Sequence, residues 1–491
     1  MILAIDQGTT GTTIRITNTQ GKEVGAAYNE FKQYYPKPTW VEHDPLEIWQ
    51  VTQDGILQAL ISANLTSADI SCIGITNQRE TTLVWHKKTG EPLYNAIVWQ
   101  CRRSANLCES IKQQDKEGWL HQKTGLVVDA YFSATKLQWL FNEKPELRQL
   151  AEQGELAFGT IDTWLMWQLS GCQAHYTDHT NASRTMLYNI HQQGWDDELL
   201  SFFDIPKSVL PAIKNSAGLF CHTETNGFLK RSIPITGVAG DQQSALFAQQ
   251  CTKAGMVKNT YGTGCFMLMY TAENPCLSEH GLLTTIACDK HGRPAYALEG
   301  AVFTAGAAVQ WLRDQLQLID QASDTEALAK SVSDNNGVHF VPAFSGLGAP
   351  HWEMKATGEI TGLTQGCSKA HIVRATLESI AFQSHDLMQL MEQESQLKIS
   401  LLKVDGGASA NNFLMQFQAD LLGITIERPE NIESTVLGAT MLAAIGQGIW
   451  QAEHLPMVLH GKSETFQDKI SAENAATLVS AWQNAVKKCL A

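Results

Sequence analysis

The chain has 491 residues, 44% of them hydrophobic and 18% charged, so it has the composition of a globular protein and is too long for one core. Its net charge of −14 argues against a general nucleic-acid or anionic-membrane surface, although a local site can still bind a phosphorylated ligand. No apolar run is long enough to cross a bilayer, and the start "MILAIDQG" lacks the basic region of a secretion signal. The eleven scattered cysteines form no CxxC pair, so we expect reduced thiols in a cytoplasmic protein. The charge and the apolar runs together predict no membrane segment and no nucleic-acid partner.

Short apolar strands alternate with helical segments along the chain. A long helix is predicted for "HIVRATLESIAFQSHDLMQLM" (371–391), where apolar residues recur at helical spacing. Strand–helix alternation indicates an α/β architecture with helix-covered sheets. The strands are predicted at "ILAID" (2–6), "CIGIT" (72–76), "ITGVAG" (235–240) and "LLKVDGG" (401–407).

One pattern occurs twice, about half a chain apart. "ILAIDQGTTGTTIRI" (2–16) and "MVKNTYGTGCFMLMY" (256–270) each read as a strand, a Gly-Thr-rich turn and a second strand. No low-complexity linker separates the halves, so the boundary is predicted near 248–257. The repetition predicts two similar domains, each presenting a glycine-threonine hairpin to a shared cleft.

The first hairpin, "DQGTT" (6–10), has the chemistry of a phosphate-binding turn. Gly8 permits a tight turn, and the N–H groups and hydroxyls of Thr9 and Thr10 can donate to phosphate oxygens. Asp6, at the end of a strand, can hold the hydration shell of Mg²⁺. An ordinary hairpin turn explains the motif equally well.

The second hairpin, "NTYGTGC" (259–265), repeats that chemistry around Thr263. Two such hairpins facing each other would enclose a triphosphate from two sides. Neither motif matches GxxxxGK[ST] or GxGxxG, so a P-loop or a Rossmann site is not expected.

Two further turns combine small residues with a helix start. In "VDGGASANNFLMQ" (404–416), Gly407 clears space for a ring or a ribose, and Asn411 follows four residues later. In "TAGAAVQWL" (304–312), Gly306 and Gln310 have the same spacing. Two helices with small packing residues are the alternative.

A carboxylate follows the strand in "GVAGDQQSALFAQ" (237–249). Asp241 there is either a helix N-cap or a general base that takes a proton from an attacking hydroxyl. In the second case Gln242 would orient the substrate.

Arg79 and Glu80 stand side by side in the apolar run "GITNQRETTLVW" (74–85). They are either a solvated turn or a polar clamp whose fixed donors and acceptors match neighbouring hydroxyls. Three aromatic residues can form an apolar wall for the CH faces of a polyol, although each alone is more typical of a core: Trp99, Tyr131 and Phe266.

Together these segments resemble the FGGY family of carbohydrate kinases, and in particular its glycerol-phosphorylating members, from residue 2 to about 450. Two stretches resemble the family signatures, "YFSATKLQWLFNE" (131–143) and "GEITGLTQGCSKAHIVRATLE" (358–378). Other matching segments are "WVEHDPLEIW" (40–49), "GITNQRETT" (74–82), "NAIVWQCRR" (95–103), "GTIDTWL" (159–165), "TDHTNASRTMLYNI" (177–190), "GVAGDQQSALF" (237–247), "KNTYGTGCFML" (258–268), "YALEGAVF" (296–303) and "FVPAFSGLGAPHW" (340–352).

The resemblance implies the actin-like ATPase (ribonuclease H-like) fold, an α/β fold with two similar domains around a central cleft. The implied divisions are an N-terminal kinase domain at 1–248, a C-terminal kinase domain at 257–447 and a helical tail at 448–491. The implied reaction is ATP-dependent phosphorylation of glycerol to sn-glycerol 3-phosphate, the first step of glycerol catabolism, with Mg²⁺ as cofactor. Family members also suggest a homodimer or a homotetramer.

Residue by residue, the resemblance divides the site into three groups. Asp241 falls on the catalytic base and Asp6 on the metal side. The glycerol positions are Arg79, Glu80, Trp99, Tyr131, Asp241, Gln242 and Phe266. The nucleotide positions are Thr9, Thr10, Gly11, Thr13, Thr263, Gly306, Gln310, Gly407 and Asn411.

The first hairpin departs from the family pattern "GTTSSR", because this chain has "GTTGTT". Gly11 stands where the pattern has serine and Thr13 where it has arginine. Arg15, two residues further, projects from the same strand face and is the candidate substitute.

Three other functions remain open on the sequence alone. The chain could be a kinase of the same family for another small polyol or ketose, such as a pentulose. An actin-like ATPase that switches a binding state would leave the Arg79–Glu80 pair and Asp241 without a purpose. A polyol sensor without activity is opposed by two intact hairpins.

Overall fold

The computed structural model describes residues 1–344, 346–353, 355–430, 433–456 and 461–491. Within them the chain forms two large mixed sheets, each covered by helices. Within the same residues, no helix has both the length and the apolar character required to span a membrane. The eleven cysteines are all unpaired thiols.

In the first half of the chain the strands are β1 (Ile2–Gln7), β2 (Gly11–Thr17), β3 (Glu23–Glu30), β4 (Glu42–His43), β5 (Cys72–Asn77), β6 (Leu83–His86), β7 (Ala96–Ile97), β8 (Leu156–Gly159), β9 (Tyr176–Asp178), β10 (Tyr188–Asn189), β11 (Gly194–Trp195), β12 (Ala212–Lys214), β13 (Ala217–His222) and β14 (Pro234–Gly240). In the second half they are β15 (Val257–Tyr261), β16 (Cys265–Ala272), β17 (Leu283–Cys288), β18 (Pro294–Val302), β19 (His339–Val341), β20 (Glu359–Thr361), β21 (Leu401–Asp405), β22 (Thr425–Pro429) and β23 (Ser463–Phe466).

The α-helices of the described residues are α1 (Pro45–Ser62), α2 (Ala105–Gln113), α3 (Glu117–Thr124), α4 (Ser133–Glu143), α5 (Pro145–Glu152), α6 (Ile161–Leu169), α7 (His179–Ala182), α8 (Asp197–Phe202), α9 (Asp241–Ala248), α10 (Gly306–Asp314), α11 (Asp324–Lys330), α12 (Lys369–Ser395), α13 (Asn412–Leu422), α14 (Ser434–Gly446) and α15 (Ala472–Cys489). Short 3₁₀ turns occur at Ser67–Asp69, Lys207–Val209 and Gly407–Ala410.

The first sheet has the strand order β13-β14-β5-β1-β2-β3. β1, β2 and β3 are antiparallel neighbours, whereas β5 and β14 join β1 in parallel. The register pairs Gln7 with Asn77 and Asn77 with Gly240, so the carboxyl ends of β1, β5 and β14 meet at one edge. Ligands of open α/β sheets bind outside such an edge.

The second sheet, β17-β18-β16-β15-β21-β22-β23, repeats this plan. β15, β16 and β18 are antiparallel neighbours, and β21 and β22 extend from β15 in parallel. β15 and β16 therefore correspond to β1 and β2. The predicted strands, the long helix and the repeated hairpin are all confirmed.

One helix from the second half completes the first sheet. α14 packs on β1, β5 and β14. Two glycines allow the close approach, since a Cβ on Gly74 would lie 2.2 Å from the Ala439 carbonyl oxygen and one on Gly237 would lie 2.2 Å from the Ala443 nitrogen. Close backbone packing therefore joins a helix of the second half to the first sheet.

Candidate active site

Arg79 lies at the carboxyl edge of the first sheet, directly after β5. Its guanidinium donates to both carboxylate oxygens of Glu299 on β18, at 2.6 and 3.0 Å. A third donor reaches Gln243 Oε1 at 3.1 Å, and Arg79 Nε lies 3.1 Å from Asp241 Oδ1. Arg79 is therefore fixed by groups from both halves of the chain.

Arg184 is the second buried cation of this network. It donates from Nε to Glu80 Oε1 at 2.6 Å and from Nη2 to Glu299 Oε1 at 2.9 Å. Arg79 Nε lies 3.7 Å from the same Glu80 oxygen. Burial raises the pKa of Glu299, but the guanidiniums of Arg184 and Arg79 outweigh it and hold this pKa at about 2.

The backbone at Glu80 is held in an uncommon conformation. Its φ of 61° lies in the left-handed region, which is rare for a side chain of this size. Ser133 Oγ and Lys136 Nζ both donate to its carbonyl oxygen, at 3.1 and 3.2 Å. Burial lowers the pKa of Lys136 to about 8. These two residues of α4 turn the Glu80 carboxylate towards Arg184.

Asp241 is the first residue of α9, at the same sheet edge. Gly240 precedes the helix, and its N–H donates to Thr180 Oγ1 at 2.9 Å. The N–H of Gln242 donates to Asp241 Oδ1 at 2.7 Å. Burial raises the pKa of Asp241 even though Arg79 lies beside it, so the carboxylate is more basic than an exposed aspartate. The geometry suits a proton acceptor.

The three predicted aromatic residues come together. Trp99 makes edge contacts with Tyr131 and Phe266, with ring centroids 5.6 and 6.5 Å apart. Trp99 Nε1 also donates to Thr9 Oγ1 at 3.0 Å, which ties this wall to the first hairpin. All three side chains are half-buried, so their faces remain available to a small ligand.

The carbonyl groups of the first hairpin are occupied by side-chain amides. Gln78 and Gln7 donate to the Gly8 carbonyl at 3.1 and 2.8 Å, and Gln33 donates to the Thr9 carbonyl at 2.9 Å. Thr10 is exposed at the tip. Three side-chain amides therefore hold the turn, and Thr10 at its tip remains accessible to solvent.

Gly11 and Thr13 lie on β2. A Cβ on Gly11 would lie 2.6 Å from the hydroxyl of Tyr28, an exposed side chain that would have to move to accommodate it. Thr13 lies opposite Asp6 in the β1–β2 register. Arg15 is engaged elsewhere, because it pairs with Glu433 at 2.5 Å and Glu23 at 3.2 Å. The predicted nucleotide contacts of Gly11 and Thr13 stay predictions.

Asp6 fits the metal position by its electrostatics. Burial and the negative charges of Asp241 and Glu433 raise the pKa of Asp6 to about 7, and Arg15 opposes this only in part. This carboxyl therefore lacks a full counter-charge. Among the described residues no three His, Cys, Asp or Glu side chains form a ready metal cluster. A single carboxylate suits Mg²⁺, which keeps several waters and takes its other ligands from phosphate.

The second hairpin is held by the start of α10. The N–H groups of Ala305 and Ala307 donate to the Thr263 carbonyl at 2.9 and 3.0 Å, and Gly306 N donates to the Gly262 carbonyl at 3.0 Å. A Cβ on Gly306 would lie 2.5 Å from that Gly262 oxygen. Gly306 therefore has a structural reason to be glycine, and Thr263 is left exposed.

The turn after β21 flanks the same hairpin. Gly406, with φ of 83°, packs on the Tyr261 backbone, whereas a Cβ on Gly407 would meet nothing within 4 Å. Asn411 caps α13 by accepting from Leu414 N at 3.0 Å and donates to Thr325 Oγ1 at 3.1 Å. Gln310 is exposed on α10. Open space at Gly407 is what a nucleotide would require.

The sequence did not point to Arg184, Glu299 or Lys258, which the structure adds to the site. Glu299 and Lys258 do carry a signal, since each interrupts an otherwise apolar or neutral strand with a charge, in "PAYALEGAV" and "VKNTY". Arg184 follows a short helix and has no such pattern around it. Contacts with Arg79, Glu80 and Gln242 assign these three residues to the site.

The fold and the site define a sugar-kinase-like phosphotransferase, and the comparisons with known proteins agree. The chain belongs to the FGGY family of carbohydrate kinases: the N-terminal domain model of that family matches residues 1–248 and the C-terminal domain model matches residues 257–446.

Among curated relatives, the glycerol kinase of Alkaliphilus metalliredigens is 51% identical over 490 residues, covering 100% of this chain and 98% of that protein. The glycerol kinase of Petrotoga mobilis is 52% identical over 487 residues, covering 99% and 98%. The crystal structure of Plasmodium falciparum glycerol kinase with ADP superposes with a TM-score of 0.95 at 38% identity, covering 100% of this chain and 98% of that one. A ligand-bound xylulose kinase from Lactobacillus acidophilus has the same fold, with a TM-score of 0.89 at 22% identity and 100% and 98% coverage. The predicted two-domain α/β fold is confirmed.

Proposed function

We propose that this chain transfers the γ-phosphoryl group of ATP to a terminal hydroxyl of glycerol, giving sn-glycerol 3-phosphate as the first step of glycerol catabolism. The observation that carries the proposal is the position of Asp241. Its carboxylate lies 3.1 Å from Arg79 Nε at the carboxyl edge of the first sheet. The names of the relatives at 51 and 52% identity support glycerol as the acceptor.

Glycerol binds between the polar network and the aromatic wall. Arg79 offers donors and Glu80 offers acceptors to neighbouring hydroxyls, and Gln242 adds an amide. Trp99 and Phe266 cover the CH faces of the triol. An analogue that lacks a hydroxyl leaves buried charges unpaired and is rejected for that reason.

Asp241 accepts the proton of the attacking hydroxyl while the new O–P bond forms. The nucleotide lies across the cleft, with Thr9 and Thr10 on one side of its phosphates and Thr263 on the other. Gly306, Gln310, Gly407 and Asn411 surround its base and ribose. Asp6 would hold Mg²⁺ together with the nucleotide, and the ion would supply positive charge to the phosphate oxygens.

Closure of the two halves excludes water from the reacting groups, which suppresses hydrolysis of ATP. We further propose that the enzyme works in the cytoplasm as a homodimer or a homotetramer, in line with its family.

A coupled assay of ADP release tests the proposal, with glycerol, dihydroxyacetone and several pentuloses compared at equal concentration. We expect the highest kcat/KM for glycerol. A higher kcat/KM for a ketose would instead indicate that the chain is a ketose kinase of the same family. ADP release without any acceptor would indicate an ATPase.

A further inference from the structure

Lys258 carries a buried positive charge between the two halves of the site. It lies on β15, four residues before Gly262, and its side chain is fully buried. Its Nζ donates to Gln242 Oε1 of α9 at 2.5 Å and to Thr260 Oγ1 of its own strand at 2.7 Å. The ammonium therefore bridges the residue beside the base to the strand that leads into the second hairpin.

Acidic side chains surround the ammonium group of Lys258. Burial lowers the pKa of Lys258, and the nearby carboxylates of Asp405 and Asp241 oppose this by attracting the ammonium. Thr260 lies directly opposite Asp405 in the β15–β21 register. An ammonium has three N–H donors, and two of them are used by Gln242 and Thr260. Within the described part of the chain, the third donor has no hydrogen-bond partner, and the ammonium lies beside Gln242 of the proposed glycerol site.

Positive charge near the transferred group stabilises phosphoryl transfer. A triphosphate would lie among Asp6, Asp241 and Asp405, and the transition state spreads negative charge over the equatorial oxygens of the transferred group. The first hairpin offers threonine at position 13, and Arg15 is paired with Glu433 and Glu23. Lys258 is positioned to supply the charge.

We propose that Lys258 is a catalytic residue whose ammonium donates to an equatorial oxygen of the transferred phosphoryl group. The inference rests on the proposed phosphorylation of glycerol. In that step the glycerol oxygen forms the new bond to the γ-phosphorus and its proton goes to Asp241. The bond to the bridging oxygen breaks, and that electron pair stays on the β-phosphate of ADP. Lys258 keeps its proton throughout.

The alternative is that Lys258 only positions Gln242 for glycerol binding. The two roles separate kinetically. A contact made in the transition state lowers kcat when it is lost, whereas a lost contact to bound glycerol raises KM and the dissociation constant of glycerol.

The test compares Lys258→Met with Lys403→Met. Lys403 lies beside Lys258 in the β15–β21 register, and its ammonium is 3.8 Å from Glu427, outside the residues assigned to the site. For both variants and the wild type, kcat and KM are measured with glycerol. Calorimetry then gives the affinities for glycerol, for ADP, and for ADP with aluminium fluoride in the presence of glycerol and Mg²⁺.

We expect kcat of Lys258→Met to fall roughly 10²–10³-fold, the usual effect of removing one preorganised donor to a developing charge. Affinity for ADP with aluminium fluoride should fall by a similar factor, while the affinities for glycerol and for ADP alone stay within about threefold, and Lys258→Arg should recover part of the loss. Lys403→Met should match the wild type.

A kcat within about threefold of the wild type would overturn the proposal, as would a loss confined to glycerol affinity. If Lys258→Met does not fold, the same measurements on Lys258→Gln decide. A wild type that does not phosphorylate glycerol would contradict the proposed function itself, and it is measured in the same series.

Discussion

The two glycine-threonine hairpins have the same backbone plan but differ in the chemistry around them. Two residues before the turn glycine, the first hairpin has Asp6 and the second has Thr260. The first is held by the amides of Gln7, Gln33 and Gln78, whereas backbone N–H groups at the start of α10 hold the second.

The difference extends to the neighbouring sheet edges. The first edge ends in charged groups, Arg79 and Asp241, whereas the second is flanked by glycines, Gly306 and Gly407. A duplicated scaffold thus supports two tasks. Under the proposed function, charged side chains of the first half bind the polyol and accept its proton, and small residues of the second half leave room for the nucleotide.

The largest effect is expected at the base. Asp241→Asn should lower kcat by roughly 10²–10⁴, the usual contribution of a positioned general base, while glycerol affinity changes much less. Steady-state kinetics and calorimetry on the same preparation measure both. If the variant folds and its kcat is close to that of the wild type, Asp241 is not the general base and serves only as the first residue of α9.

The next effect concerns the buried charges. Glu299→Gln should lower the free energy of unfolding by about 3–5 kcal/mol, because Arg79 and Arg184 lose their shared carboxylate in a buried setting. Urea unfolding measures it. The exposed Glu273→Gln serves as control and should stay within about 0.5 kcal/mol. Equal stability of the two variants would mean that the network carries little energy.

Two glycines near the second hairpin should respond in opposite ways. Gly306→Ala forces a Cβ against the Gly262 oxygen and should cost about 1–3 kcal/mol in unfolding free energy. Gly407→Ala meets open space, so stability should be unchanged or rise by about 0.4–1 kcal/mol. Thermal and urea unfolding check both, and a similar loss at the two positions would refute the assigned packing.

A further expected effect is a pH dependence of metal–nucleotide binding. Burial together with Asp241 and Glu433 raises the pKa of Asp6 to about 7, so the carboxyl is protonated below that pH and charged above it. The affinity for Mg²⁺–ADP should therefore fall by up to about tenfold for each pH unit below 7. Asp6→Asn should bind weakly with little dependence on pH in this range. A wild-type affinity that is flat from pH 5 to 8 would contradict the metal assignment.

Local patterns predicted a large part of the molecule. The hairpins, the strands that lead to Asp241 and Gly407, and the helix α12 follow from apolar periodicity and turn residues within short windows. The resemblance to the family added the division of the site into polyol and nucleotide groups. The structure brings the rings of Trp99, Tyr131 and Phe266 into contact, whereas the roles assigned to them stay predictions.

The remaining features depend on contacts between distant parts of the chain. Glu299 meets Arg79 across 220 residues, and Arg15 meets Glu433 across 418. Neither pairing can be predicted from the spacing of apolar or charged residues in the sequence. The packing of α14 on the first sheet is equally hidden, because Gly74 and Gly237 have a reason to be glycine only when that helix is in place.

The division of labour is tested most directly by titrating glycerol and ADP separately into Arg79→Ala and Gly407→Leu. Arg79→Ala should lose glycerol affinity by about 10²-fold or more, since Glu299 and Glu80 lose a buried partner, and should bind ADP as the wild type does. Gly407→Leu should lose about tenfold or more in ADP affinity, because its side chain fills the open space, and should keep its glycerol affinity. The assignment of the two halves to two substrates is wrong if a folded Arg79→Ala loses ADP affinity instead of glycerol affinity, or if a folded Gly407→Leu loses glycerol affinity instead of ADP affinity. An equal loss of both affinities in either variant would contradict it as well.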